Sequence, residues 1–186
     1  AACGVPGFMW RKHMDRKSND EIVEGMMRRP IPKKKVGIVH LQMVREGRAL
    51  YGMTRFTDPG MAAEMVWPLF EMADREMALV LSLNTKLEPQ ALEIAAVGGL
   101  NACSIDCRDI FKHAVLNNAA FIICFHNHPS GDPKPSMEDR KLTKRLEECG
   151  KILGIPLIDH IIVGEGPCCY SFKEQGMLSY TDGEVA

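Results

Sequence analysis

Two histidines and one aspartate have the residue types and the spacing of a metal site. His126 and His128 are two residues apart at the end of an apolar run. In an extended strand both imidazoles point to the same side, with Cα atoms about 6–7 Å apart. Asp139 falls in the first turn of the helix predicted to follow, where its carboxylate can supply a third ligand. Two imidazoles and one carboxylate hold Zn²⁺ with one coordination position open, which is typical of hydrolytic rather than structural zinc sites.

The same residues also have a purely structural interpretation. Ser136 and Asp139 are spaced as the N-cap and N3 residues of a capping box, which by itself would explain both of them. A pair of histidines in a loop also occurs by chance. Each residue taken alone therefore favours a structural role, whereas His-x-His at a strand end together with an acid on the following helix favours a metal.

The apolar pattern predicts the elements that position these residues. Strands buried on both faces form continuous apolar runs, and helices carry apolar residues every three or four positions. On these criteria we predict strands at 36–43, 50–56, 76–83, 92–97, 119–125, 155–163 and 168–172, and helices at 19–27, 59–73, 108–117 and 136–153. Helices thus interrupt a strand-rich meander, which predicts an α/β domain with helices covering a mixed sheet.

Apolar side chains indicate which surfaces are buried. The helix at 59–73 is expected to face the core with a stripe of large side chains: Met61, Met65, Val66, Leu69 and Met72. Cys124 lies inside an apolar run and is expected to behave as a small buried hydrophobe.

Composition and charge exclude several classes of protein. With 186 residues, 46% of them hydrophobic and 25% charged, the chain is expected to fold as one domain with appendages. Its apolar runs are too short to span a bilayer, and its net charge of −1 argues against nucleic-acid contact along the whole chain. Seven irregularly spaced cysteines and the lack of a secretion-type leader predict reduced thiols in the cytoplasm.

Positive charge is concentrated in the first 36 residues. They contain nine Lys and Arg against four Asp and Glu, and they show no sustained apolar period. We interpret residues 1–36 as a basic arm and residues 37–186 as the folded domain. A mobile, solvated arm is the favoured interpretation, and weak contact with nucleic acid through these charges is the alternative.

The segment around the histidines resembles a known class of metalloprotein. His-x-His, seven residues, Ser136, two residues and Asp139 match the motif of the JAMM (JAB/MPN-type) metalloenzymes. The flanking sequence is most similar to the bacterial RadC family. The similar stretches are His-Asn-His-Pro-Ser-Gly-Asp-Pro at 126–133, Asp-His-Ile-Ile-Val-Gly at 159–164, Leu-Asn-Thr-Lys at 83–86 and Arg-Asp-Ile-Phe-Lys at 108–112. The resemblance covers residues 37–186.

The resemblance implies a fold, a cofactor and a mechanism. The fold is JAB/MPN-like, a cytidine-deaminase-like mixed sheet sandwiched by helices in a single domain. The cofactor is Zn²⁺, held by His126, His128 and Asp139. Glu76 is then the general base that takes a proton from water and passes it to the leaving nitrogen. Ser136 donates a hydrogen bond to the oxyanion, and the substrate is a protein or peptide cut at a peptide or isopeptide-like bond.

The chain also departs from the family pattern. RadC-like chains commonly have Val-His-Pro-Arg-Glu where this chain has Ile-Asp-Cys-Arg-Asp at 105–109. Longer members carry an N-terminal helix-hairpin-helix region of the DNA-binding type, for which residues 1–36 are too short.

Two residues near the motif have competing interpretations. His160 is expected to be a core histidine satisfied by one backbone hydrogen bond, with a role in orienting a metal ligand as the alternative. Asp132 is expected either to contact substrate or to form an Asx-turn before Pro133.

The sequence leaves one alternative function open and argues against two others. A DNA-repair-associated accessory protein with a structural or vestigial metal site is the alternative to the hydrolase. The string His-Asn-His does not indicate a nuclease, because the nuclease motif of that name disperses these residues over a ββα unit. Nucleobase deaminases need His-x-Glu and Pro-Cys-x-x-Cys elements, which this sequence does not contain.

Overall fold

The structure, a computed structural model, describes residues 55–98, 105–166 and 168–180, together with residues 21, 24, 25, 37 and 44. The chain divides into two compact units, residues 1–46 and 47–186. In the first unit Glu21, Glu24 and Gly25 are helical, within the helix predicted at 19–27. The predicted strand at 36–43 lies outside the described residues apart from Gly37, which is not in a strand, and the arm boundary at residue 36 stays a prediction.

Five strands form a mixed sheet in the second unit, in the order β2-β1-β3-β4-β5. Strand β1 pairs antiparallel with β2 and β3, β3 and β4 are parallel, and β5 is antiparallel to β4. The strands are β1 (Met77–Leu83), β2 (Pro89–Val97), β3 (Phe121–Asn127), β4 (Leu157–Val163) and β5 (Cys169–Ser171). The three central strands are buried almost throughout, which explains their continuous apolar sequences.

Three helices among the described residues cover the two faces of this sheet: α1 (Pro59–Phe70), α2 (Cys107–Leu116) and α3 (Met137–Leu153). Helix α1 packs with one set of alternating strand residues, including Leu79 and Phe125. Helices α2 and α3 pack with the other set, including Val80 and Cys124. The prediction of an α/β domain with a mixed sheet sandwiched by helices is confirmed.

The predicted buried stripe of α1 is wrong in part. Val66 is buried and Met65 packs against the core, but Met61, Leu69 and Met72 are exposed. The buried face is formed instead by Ala62, Ala63, Val66 and Phe70. Two adjacent alanines allow the helix backbone to approach the sheet closely, so the face with small residues, not the one with the long methionines, is the one that packs.

The strand that carries the first histidine extends further than predicted. The sequence pattern ends it at residue 125, whereas β3 continues through His126 and Asn127. The parallel ladder explains the extension, because His126 and Asn127 pair with Ile162 and Val163 of β4. By contrast, of the strand predicted at 50–56 only Arg55 and Phe56 are described, and neither is in a strand.

One smaller expectation is also met in the described residues: Cys124 is fully buried in β3. The five described cysteines form no disulfide bond with one another. No helix in the described part of the chain combines the length and the apolar character needed to cross a membrane.

Candidate metal centre

The end of β3 and the start of α3 bring three ligand-type side chains together. His126 is the penultimate residue of β3, His128 follows the strand, and Asp139 is the third residue of α3. The two Nε2 atoms lie 3.1 Å apart. Asp139 places Oδ1 3.2 Å from Nε2 of His126 and Oδ2 3.5 Å from Nε2 of His128. The expectation that both imidazoles face one side, toward Asp139, therefore agrees with the geometry.

These separations fit a small divalent cation. A tetrahedral site with ligands about 2.0–2.1 Å from Zn²⁺ has edges of about 3.3–3.4 Å between ligand atoms. The separation between the two nitrogens, 3.1 Å, is close to that value, and each nitrogen lies 3.2 or 3.5 Å from one of the two carboxylate oxygens of Asp139. Among the described residues this is the group of His, Cys, Asp and Glu side chains placed to hold a metal ion. Its side chains are 4%, 14% and 15% exposed, so the group is recessed but accessible from one side.

A capping box orients the Asp139 carboxylate. Ser136 is the N-cap of α3 and its hydroxyl accepts a hydrogen bond from Asp139 N at 3.1 Å. In return the backbone N–H of Ser136 donates to Asp139 Oδ2 at 2.6 Å. The predicted capping interaction is thus present, and it does not compete with metal binding because Oδ1 still points at His126.

The loop after β3 orients His128. Nδ1 of His128 lies 2.8 Å from the backbone carbonyl oxygen of Asp132, which can only accept, so this nitrogen carries the proton. The Asp132 side chain accepts from Lys134 N at 3.0 Å. This is the Asx-turn that the sequence allowed, and it shapes the loop segment whose carbonyl holds the imidazole.

A close backbone contact fastens this loop to the end of β4. The backbone N–H of Gly164 donates to the carbonyl of Cys168, and the backbone N–H of Glu165 donates to the carbonyl of Gly131. Gly131 itself has φ +80°. A Cβ on Gly164 would lie 2.5 Å from the carbonyl oxygen of Gly131 and 2.8 Å from Cδ of Pro133. Only glycine fits at residue 164, and the loop therefore lies directly on the sheet.

Proximity within the cluster shifts the pKa values of Asp139 and His128. Burial alone would raise the pKa of Asp139, but hydrogen bonds to His126 and His128 hold it well below its usual range. The hydrogen bond with Asp139 raises the pKa of His128 against the effect of burial, and the charges of Asp139 and Glu76 act in the same direction. In the metal-free protein the cluster thus favours a proton on His128, in the position where a cation would bind.

The buried ring of His160 contacts His126, and the prediction that a backbone hydrogen bond satisfies this ring is wrong. Its Nε2 lies 2.9 Å from Nδ1 of His126, and its Nδ1 lies 2.7 Å from Oγ1 of Thr143. Both ring nitrogens therefore meet side chains. The ring is fully buried and stacks on Phe172 with centroids 5.1 Å apart, and burial lowers the pKa of His160 well below its usual value.

Glu76 precedes β1 on the same side of the sheet as the histidines. Ala78 is paired with His126 in the antiparallel ladder between β1 and β3. Continuing that register places residue 76 beside His128, and the two-residue period of a strand keeps Glu76 on the face of Ala78. Its charge acts on the pKa of His128. The geometry is thus compatible with the role predicted for Glu76, which stays a prediction, as does the catalytic role of Ser136.

Asn127, which the sequence reasoning passed over, holds the backbone around Glu76. Its Oδ1 accepts from Met77 N at 2.7 Å and its Nδ2 donates to the carbonyl of Arg75 at 3.1 Å. A polar residue inside an apolar strand between two histidines was the signal available in the sequence. Thr143 gave no comparable signal, and for His160 the sequence offered the orientation of a metal ligand only as the alternative, because the contacts of both residues depend on how α3 lies over β4.

A mixed sheet between helices, with His-x-His leaving a central strand and Asp on the next helix, defines a JAB-type domain with a candidate metal site. The chain belongs to the family described as the RadC-like JAB domain, whose model matches residues 56–177. This confirms the resemblance given by the motif.

Curated relatives agree with this assignment. A UPF0758 protein of Clostridium acetobutylicum is 44% identical over 124 residues, which are 67% of this chain and 54% of that protein. UPF0758 proteins of Shouchella clausii and Desulforudis audaxviator are 46% and 48% identical, over 66% and 64% of this chain and 53% and 52% of their own lengths. The chain thus spans about half the length of the curated relatives it matches, and their names state no activity.

Proposed function

We propose that this domain is a Zn²⁺-dependent hydrolase of the JAMM type that cleaves a peptide or isopeptide-like amide bond. The observation that carries the proposal is the convergence of two imidazole nitrogens and the Asp139 carboxylate, with nitrogen–nitrogen and nitrogen–oxygen separations of 3.1 to 3.5 Å, on one place that a zinc ion would fit. A Zn²⁺ ion held there supplies Lewis acidity that polarises a carbonyl and lowers the pKa of water.

The chain's own residues would supply the proton transfers. Glu76 is half-buried and lies beside His128 in the extended register. A carboxylate at that place can take a proton from the attacking water and return it to the leaving nitrogen, so one group serves as base and then as acid. The clamp of Asn127 on Arg75 and Met77 keeps the backbone of Glu76 in place for both steps.

Ser136 would stabilise negative charge on the substrate oxygen. Its oxygen already accepts from Asp139 N, while a hydroxyl retains one proton to donate. The residue also lies at the N-terminus of α3, where the helix dipole favours negative charge. Both effects act on an oxyanion that develops beside Asp139.

The test separates metal binding from catalysis by a substitution that leaves the ligands intact. Wild type and Glu76→Gln, both loaded with Zn²⁺, are incubated with fluorescence-quenched peptides that contain either an α-peptide or a lysine ε-isopeptide bond. We expect E76Q to keep its zinc and to lose at least about 100-fold in rate, the contribution of a positioned general base. Glu138→Gln removes an equal charge from an exposed neighbour of Asp139 and should retain full activity.

Equal rates for E76Q and wild type would overturn the role of Glu76. If zinc-loaded wild type cleaved neither type of bond, the proposed activity would be overturned.

One observation favours the second candidate, a DNA-associated accessory protein. Residues 1–36 carry nine cationic against four acidic side chains in a chain that is otherwise acidic. If that segment contacts DNA, binding to a duplex should weaken steeply with salt and disappear when residues 1–35 are deleted. Absence of binding at low salt would eliminate this candidate.

A further inference from the structure

A continuous chain of hydrogen bonds runs from the backbone of α3 to the imidazole of His126. Oγ1 of Thr143 donates to the carbonyl of Asp139 at 2.7 Å. The same oxygen lies 2.7 Å from Nδ1 of His160, whose Nε2 lies 2.9 Å from Nδ1 of His126. Thr143, His160 and His126 are each 3% exposed or less, so these three side chains cannot easily exchange their partners for water.

The proton positions in this chain of hydrogen bonds can be assigned by starting from the Asp139 carbonyl at one end. A carbonyl oxygen only accepts, and a hydroxyl has one proton, so the Thr143 proton points at Asp139. The hydroxyl oxygen must then accept from His160, which places a proton on Nδ1 of that ring. The remaining nitrogen of His160, Nε2, faces Nδ1 of His126.

Only one arrangement of that last contact keeps the interior uncharged. If His160 also carried a proton on Nε2, it would be a cation at a position with 0% exposure, and taking an isolated charge out of water is costly. A neutral His160 instead accepts at Nε2 from a proton on Nδ1 of His126. With that proton on Nδ1, Nε2 is the nitrogen of His126 that is left to bind a metal, and it lies 3.1 Å from Nε2 of His128 and 3.2 Å from Oδ1 of Asp139.

Packing fixes the orientation of the His160 ring as well as its protonation. The ring stacks on Phe172 at an interplanar angle of 9°. Its backbone N–H donates to Asp159 at 2.7 Å, and its carbonyl accepts from Phe172 N at 3.0 Å. The backbone of His160 is therefore fixed, and its ring cannot rotate away from His126 without losing the stack on Phe172 and the hydrogen bond with Thr143.

We propose that His160, held by Thr143, is a positioning residue that keeps a proton on Nδ1 of His126, so that Nε2, which faces His128 and Asp139, is the nitrogen that binds the metal. A ligand nitrogen that must lose a proton or turn its ring before binding gives a weaker site, so the relay raises metal affinity. The effect on affinity rests on the proposed metal site, whereas the tautomer of His126 does not.

The first measurement concerns the tautomer and needs no metal. Metal-free protein of the full chain, labelled with ¹⁵N in its histidine rings, is studied by two-bond ¹H–¹⁵N correlation spectroscopy. We expect His126 and His160 each to carry a proton on Nδ1, and His160 to carry none on Nε2. A His126 ring without a proton on Nδ1 in the wild type would overturn the inference.

The second measurement compares zinc affinities of matched variants by competition with a chelating fluorophore. His160→Phe keeps an aromatic ring against Phe172 but removes the acceptor, and zinc affinity should fall about 10- to 100-fold. His160→Gln restores an acceptor toward His126 and a donor toward Thr143, and it should recover most of the loss. Thr143→Val should weaken binding in the same direction, while Thr143→Ser, which keeps the hydroxyl, should not.

The outcomes separate this inference from the proposed function. Folded H160F and T143V that bind zinc as tightly as the wild type would overturn the positioning role and leave the metal site intact. A wild type that shows the expected tautomer but binds no zinc would support the relay and overturn the proposed hydrolase.

Discussion

The side-chain amide of Asn127 fixes the backbone on both sides of Glu76. It accepts a hydrogen bond from Met77 N and donates one to the carbonyl of Arg75, both just beyond the Ala78–His126 end of the β1–β3 ladder. The central residue of the His-Asn-His string therefore has a structural task distinct from that of its neighbours. It joins the strand that carries the histidines to the segment that carries the candidate base.

Removing the side-chain amide of Asn127 should make the backbone of residues 75–77 more mobile. In Asn127→Ala the Met77 N–H and the Arg75 carbonyl lose their partners in a half-buried place, at a cost of about 1–3 kcal/mol in the free energy of unfolding. Amide hydrogen exchange should show lost protection at Met77, and urea unfolding should show the destabilisation. Asn117→Ala, which removes an amide on the far side of the sheet at the end of α2, should leave Met77 protected. Unchanged protection of Met77 in N127A would contradict the clamp.

Substitution of the N-cap should weaken α3 by a predictable amount. Ser136→Ala removes the acceptor for Asp139 N, and loss of such a cap costs about 0.5–2 kcal/mol. Urea unfolding of the metal-free protein measures this, with Ser136→Thr as the variant that keeps the hydroxyl and most of the stability. If S136A were as stable as the wild type, the capping box would not hold the Asp139 carboxylate in solution.

Asp159 should make folding less favourable as the pH rises. Burial raises the pKa of Asp159 to about 6, despite hydrogen bonds from Ser171, Lys173 and His160. The folded protein then binds this proton more tightly than the unfolded chain does. The contribution of Asp159 to stability is therefore most favourable below about pH 4 and is lost as the pH rises through 6.

Asp159→Asn removes this titration and keeps an acceptor for the two backbone N–H groups. The free energy of unfolding of the variant, relative to the wild type, should increase by about 2–3 kcal/mol between pH 4 and pH 7, since two pK units correspond to that energy. Urea titrations of both proteins across this range measure the difference. A difference that stays constant or falls with rising pH would show that Asp159 is not protonated preferentially in the folded state.

The convergence of the metal-type side chains could be predicted because it depends on local rules. Alternation along a strand puts His126 and His128 on one side, and a capping signature at 136–139 starts the next helix. The α3 crossover between two parallel strands then returns the helix over the sheet face that carries His126. None of these steps requires knowledge of distant contacts.

The contacts of His160 could not be predicted in the same way. The ladder between β3 and β4 shifts register between Ile122 and Ile123, so that Leu157 is opposite Ile122 but Asp159 is opposite Ile123. Ile158 is the extra residue of this bulge. As a result His160 lies opposite Cys124, on the face of the sheet that carries His126. Counting residues along β4 without the bulge puts His160 on the other face. A one-residue irregularity thus decides whether this histidine is a core residue or part of the site.

The central claim is that His126, His128 and Asp139 bind one divalent metal ion, and metal analysis of protein purified without a metal-affinity tag tests it most directly. We expect about one zinc per chain in the wild type, and little in His128→Ala, which removes one of three protein ligands. Ser130→Ala, in the same loop but outside the ligand group, should keep its zinc. Full zinc content in folded H128A, or none in the wild type supplied with Zn²⁺, would contradict the account.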